Sequence, residues 1–82
     1  GRLQRLHLLA PLSGRMSRIV VNEELSYPPH TTVAIIESMK LEYPIVLEEA
    51  GEIRSWLVSE GEVVKKDQKL ALVRPHMILD ET

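Results

Sequence analysis

The sequence has no cysteine and no phenylalanine. Without cysteine there is no disulfide framework, no cysteine-held zinc and no thiol nucleophile. A fold this small must then hold by packing alone. Aromatics are limited to Trp56, Tyr27 and Tyr43, so the core has to be aliphatic. The only glycines are Gly1, Gly14, Gly51 and Gly61, and they form no phosphate-cradling loop. No serine sits on a nucleophile elbow. His7, His30 and His76 show no metal-ligand spacing and have no carboxylate pair beside them. No catalytic residue and no metal ligand is therefore assigned. Long hydrophobic runs are missing too. The longest, Val33–Ile36 and Leu70–Val73, fall far short of the ~20 residues that span a bilayer. There is no basic excess: 10 Lys and Arg against 12 Asp and Glu leave a net charge of −2. Nucleic-acid domains are usually strongly basic, so neither nucleic acid nor membrane is expected as a partner.

What is present fits one small domain spanning 1–82, with its core at about 8–74. Its 82 residues leave little room for an enzyme pocket and its supporting shell. The first residue is not Met, so the chain reads as a processed, excised or tagged piece of something longer. Arg2 and Arg5 precede apolar residues, but His7 and Pro11 break up that apolar stretch and make a poor signal peptide. Helical periodicity is lacking. Short β-branched and aliphatic runs predict strands at Leu6–Ala10, Arg15–Val21, Thr32–Glu37, Leu41–Leu47, Glu52–Val58 and Lys69–Arg74. Shorter pairing segments are expected near Ser26–Pro28 and Val63–Lys65. Many short strands at this spacing read as an all-β sandwich or barrel. The acidic clusters Glu23-Glu24 and Glu48-Glu49 read as solvated turns.

An internal repeat organises the chain. Sliding the sequence by 37 positions sets residues 14–37 against 51–74 without a gap. Gly14/Gly51, Val21/Val58, Glu23/Glu60 and Ala34/Ala71 are identical, and six further pairs are apolar in both copies. Two similar halves packed face to face about an approximate twofold axis are expected. Met16, Ile19 and Val21 are spaced three and then two apart, as are Ile53, Trp56 and Val58. A flat strand alternates with period two, so both halves should carry a bulge or strong twist at the same place. Ile53 and Trp56 are then core residues.

The segment Glu37-Ser38-Met39-Lys40-Leu41 lies between the copies, between two strands, and should form a tight hairpin tip. Its counterpart, Arg74–Ile78, is the C-terminal exit, so the tip and the chain ends should lie at opposite ends. A Met exposed beside a Lys has no packing purpose there. Taken alone, the tip reads as a surface turn with one flexible cation.

Glu37-Ser38-Met39-Lys40 resembles the attachment motif of the biotinyl, or biotin carboxyl carrier, domain: Glu, then Ala or Ser, then Met-Lys. Ala10-Pro11-Leu12-Ser13-Gly14, Val33–Ile36, Ala50–Ile53, Val58–Val64 and Leu70–Val73 are similar to further stretches of that family. The likeness runs from about Leu8 to Arg74. It implies a flattened β-barrel of two four-stranded antiparallel sheets with pseudo-twofold symmetry. It implies biotin as cofactor, joined to Lys40 by a biotin protein ligase, with Glu37, Ser38, Met39 and Leu41 completing the motif. Further implied partners are a biotin carboxylase, using ATP and bicarbonate, and a carboxyltransferase, each a domain or a subunit. The chain would then be a non-catalytic, swinging-arm carrier of a biotin-dependent carboxylase, foremost an acyl-CoA carboxylase such as acetyl-CoA carboxylase. Propionyl-CoA, other acyl-CoAs, pyruvate and urea stay open as acceptors. The implied location is the cytoplasm, or the mitochondrial matrix in a eukaryote. Two alternatives remain: a lipoyl carrier of a 2-oxoacid dehydrogenase or glycine cleavage system, and an unmodified interaction module. Lipoyl lysines usually follow Asp, whereas Met39 precedes Lys40 here.

Some residues depart from the family pattern. Leu41 stands where Met is commonest. Asn22–Ser26 replaces a Gly-Asp turn, and Asn22 is the candidate there for a positive φ. Asp67 replaces a glycine, and Tyr27–His30 is also unusual. The segment between Pro11 and Glu37 is too short for the "thumb" insertion of some bacterial carriers.

Overall fold

The computed structural model describes residues 6–75. It contains eight strands in chain order: β1 Leu6–Leu9, β2 Gly14–Ile19, β3 Ser26–Tyr27, β4 Thr32–Ser38, β5 Leu41–Val46, β6 Gly51–Trp56, β7 Val63–Val64 and β8 Lys69–Pro75. They form two antiparallel four-stranded sheets, ordered β1-β8-β6-β3 and β5-β4-β2-β7. No helix occurs among the described residues. This is the two-sheet β architecture that the strand spacing and the family resemblance imply.

The 37-residue repeat governs the whole topology. Ile36 pairs with Tyr43 and Ala34 with Ile45 between β4 and β5; Val73 pairs with Leu6 and Ala71 with Leu8 between β8 and β1. The symmetry therefore extends beyond residues 14–37 and 51–74 to relate β1 to β5. One expectation is corrected here. The halves do not face each other as separate layers. Each sheet takes two strands from each half, because β1 pairs with β8 and β2 pairs with β7. A lone half would leave its inner strands without their neighbours.

Both predicted bulges are present. Register shifts between Met16 and Arg18 in the β2–β4 ladder, and between Ile53 and Ser55 in the β6–β8 ladder. The extra residue at Ser17 and at Arg54 brings Ile19 and Trp56 back to the core side. Met16, Ile36, Ile53, Leu70, Val33 and Val64 are fully buried. Met16/Ile53, Val33/Leu70, Ala34/Ala71, Ile36/Val73 and Ala10/Leu47 are buried as symmetry-related pairs. Trp56 differs from expectation: it is half-buried and packs against the core from its rim. It occupies the place that Ile19 fills in the other half. The larger indole extends to the rim, and its buried Nε1 has no hydrogen-bond partner.

Glu23 and Glu60 both lie exposed in turns, as expected for Glu23, and each also accepts a hydrogen bond across the repeat. The Ile19 N–H donates to Glu60 Oε2 at 2.7 Å, and the Trp56 N–H donates to Glu23 Oε2 at 2.8 Å. Each half thus caps the end of the other half's bulged strand. Next to these carboxylates, Gly61 N–H bonds the Met16 carbonyl and Glu24 N–H bonds the Ile53 carbonyl. Gly61 has φ 90°, and its counterpart Glu24 has φ 67°. The left-handed residue of this turn is therefore Glu24 and not Asn22. The hydrogen bond to the bulged strand fixes which residue must turn, whatever its intrinsic preference.

Candidate functional site

Ser38 and Leu41 pair as the last rung of the β4–β5 ladder, leaving a two-residue loop of Met39 and Lys40. Their φ values are 53° and 68°. Positive φ at both loop positions is the type I′ geometry, whose twist matches that of the flanking strands. Such loops favour Asn-Gly. For an L-residue with a Cβ, the left-handed region costs about 1–2 kcal/mol. Met and Lys are poor choices for the turn itself, and neither is used for packing. Met39 is 91% exposed, Lys40 is exposed, and Leu41 is 59% exposed. Among the described residues Lys40 belongs to no ion pair.

A rigid base supports this tip. β4 is paired on both sides, by β5 and by β2. Gly14 lets β2 approach closely: a Cβ there would overlap the Glu37 carbonyl oxygen and press on Ile36 Cγ1. Gly51 plays the same part against the Arg74 carbonyl. One rung below the tip, Glu42, Glu37, Arg15 and Val63 form a row across β5, β4, β2 and β7. Glu37 and Glu42 stand directly opposite, a repulsive arrangement. Arg15 Nη2 lies 2.7 Å from Glu37 Oε1 and offsets that repulsion. The pair is solvent-exposed and so contributes at most about 1 kcal/mol.

The structure gathers all five sequence-assigned residues, Glu37, Ser38, Met39, Lys40 and Leu41, into the end of this one hairpin. Sequence reasoning missed Arg15, which carries no motif signal; only the β2–β4 register reveals it. The role of Gly14 was hinted at by its repetition as Gly51. The symmetry places Leu6 and Pro75, the limits of the described residues, at the position equivalent to the tip. The remaining counterpart residues, 76–78, lie outside the described range, as does His76. His7 and His30 are exposed, and no metal-binding cluster exists among the described residues.

Three comparisons bear on this hairpin and its frame. Residues 29–73 match the biotin/lipoyl family model, described as "Biotin-requiring enzyme". No curated protein matches the sequence. Among solved structures, the chain is similar to a single-chain, multi-domain long-chain acyl-CoA carboxylase, at TM-score 0.83 and 22% identity over 93% of this chain. It is also similar to the urea carboxylase of Kluyveromyces lactis, at TM-score 0.79 and 23% identity over 85% of this chain. It spans only 8% and 6% of those two chains.

Proposed function

This chain belongs to the biotin/lipoyl attachment family of biotin-requiring enzymes, and on that premise we propose that it is a carboxyl carrier with biotin joined to Lys40. The observation that carries this reading is the tip: an amine-bearing residue held in an unfavourable turn, exposed, and braced by a rigid four-stranded sheet. Backbone strain of this kind persists where function requires the geometry.

The residues fit the group. Lys40 Nζ projects from the turn, and no partner side chain among the described residues holds it. In its uncharged form the amine attacks the carboxyl carbon of biotinyl-adenylate. The amide C–N bond forms, the bond from that carbon to the adenylate oxygen breaks, AMP leaves and the nitrogen loses a proton. Arginine cannot serve, because its guanidinium stays protonated. Once attached, biotin supplies a ring nitrogen able to accept and release a carboxyl group; the chain supplies position. Met39 and Leu41 flank the arm with apolar surface, and Arg15 with Glu37 steadies the strand beneath it.

The domain by itself offers no catalytic constellation among its described residues. Its partners in this reading are a biotin protein ligase and the carboxylase and carboxyltransferase sites of a larger assembly. The carboxylases it resembles in fold support that kind of partner. Tethering to such an assembly raises the effective concentration of the arm at both sites.

Incubation with biotin protein ligase, ATP and biotin, with intact-mass measurement of the product, tests the proposal. One biotin increment is expected, and none on Lys40→Arg. An increment that survives Lys40→Arg, or one obtained with lipoate and lipoate ligase but not with biotin, overturns it.

A further inference from the structure

β1 and β5 are outer strands, one in each sheet, and are related by the repeat. The seam between them is an open apolar groove. Along its middle it is lined by symmetry-related pairs: His7 with Pro44, Leu8 with Ile45, Leu9 with Val46. It continues toward the chain ends between Leu6, Val73 and Pro75 on one side and Val46 to Ala50 on the other.

The two strand edges that border the groove are not equivalent. Pro44 lies within β5 and still pairs with Ile35, so its nitrogen, which has no hydrogen, faces away from β4. That is a common way to blunt an edge against further strand pairing. His7 holds the same position in β1, opposite Leu72. By the same geometry its N–H points away from β8, toward the open edge. Among the described residues β1 is thus an edge whose His7 donor has no partner, flanked by Leu6 at 48% and Leu9 at 45% exposure. Glu48 and Glu49 line the groove beside it, and neither takes part in an ion pair among the described residues.

We propose that the free edge of β1 is a docking site for an extended, basic segment of a partner protein, which adds as a fifth strand to the β1-β8-β6-β3 sheet. Main-chain bonds to the β1 edge supply affinity. Alternate apolar side chains enter the groove, and a Lys or Arg meets Glu48 and Glu49. This is strand addition with an electrostatic choice of partner. The site lies away from Lys40 and is independent of its modification.

The test is an amide-resolved NMR titration of the 82-residue chain. The probe is a synthetic peptide, acetyl-Lys-Val-Lys-Val-Lys-Val-amide, with a Glu-for-Lys version as control. Expected are shifts confined to Leu6–Leu9 and residues 46–50 with the basic peptide and none with the acidic one. His7→Pro copies Pro44 onto β1 and should abolish binding while amides elsewhere keep their positions. Glu48→Lys with Glu49→Lys should weaken binding at least tenfold and leaves β1 itself unaltered. Lys40→Arg should bind unchanged, which separates this test from that of biotin attachment. Shifts spread over other acidic surfaces, or binding that survives His7→Pro in a folded chain, overturn the proposal. So do concentration-dependent shifts at β1 without peptide, which would assign the edge to a second copy of the chain.

Discussion

Among the described residues, five other than glycine adopt positive φ: Glu24, His30, Met39, Lys40 and Asp67. They separate into two kinds once the repeat is applied. His30 and Asp67 occupy equivalent turns, whose N–H groups bond the carbonyls of Leu47 and Ala10. Glu24 is equivalent to Gly61. These positions are fixed by hydrogen bonds that close the fold. Met39 and Lys40 are fixed by a two-residue loop that any Asn-Gly would satisfy better. Substitution with glycine separates the kinds. Glu24→Gly and Met39→Gly should each raise stability by about 0.5–1 kcal/mol in urea unfolding, since relief of φ strain exceeds the entropy of an added glycine. With biotin attached at Lys40 as proposed, only Met39→Gly should also slow biotin loading. A loading rate unchanged by Met39→Gly would leave Met39 as an accident of sequence. The lysine itself was legible from four letters of motif between two strands. The strained position at Glu24 was not, because residue preference pointed to Asn22 and the deciding hydrogen bond spans 29 positions from Glu24 to Ile53.

At the scale of strands, β2 and β6 carry most of the architecture. The spacing Met16–Ile19–Val21, repeated as Ile53–Trp56–Val58, was enough to place both bulges, because period two cannot bury all three side chains without one. What ends those strands was not legible. Glu23 and Glu60 sit in charged turns, where carboxylates are common, and their identity across the repeat was the one available clue. They accept the N–H groups of Trp56 and Ile19 from the other half. Hydrogen bonds to charged acceptors are stronger than neutral ones, but these are solvent-exposed. Glu23→Ala or Glu60→Ala should therefore cost about 1 kcal/mol. Amide exchange should show the difference locally: Trp56 accelerates in Glu23→Ala, and Ile19 in Glu60→Ala. Crossed or equal effects would contradict the reciprocal arrangement.

For the molecule as a whole, the repeat suggested two halves, and the topology makes them inseparable. β1 and β3 of the first half lie in a sheet with β6 and β8 of the second, while β5 and β7 complete the other sheet around β2 and β4. The core has the same composition from either side, Met16 with Ile53 and Val33 with Leu70. The sequence pattern revealed this symmetry but not its interlacing, since periodicity reports which residues face inward and not which strand they pair with. Interlacing suits the proposed carrier role: no half can loosen alone, so the tip is held by the entire domain. Ile53→Ala should cost about 2–5 kcal/mol in urea unfolding, as for buried aliphatic truncations generally. The loss should lower exchange protection in β2 and β4 as much as in β6 and β8, because unfolding is a single cooperative event. A peptide of residues 1–40 should show no dispersed amide spectrum. Selective loss of protection in the second half, or a folded 1–40 peptide, would mean that each half stands by itself and that the tip rests on β2 and β4 alone.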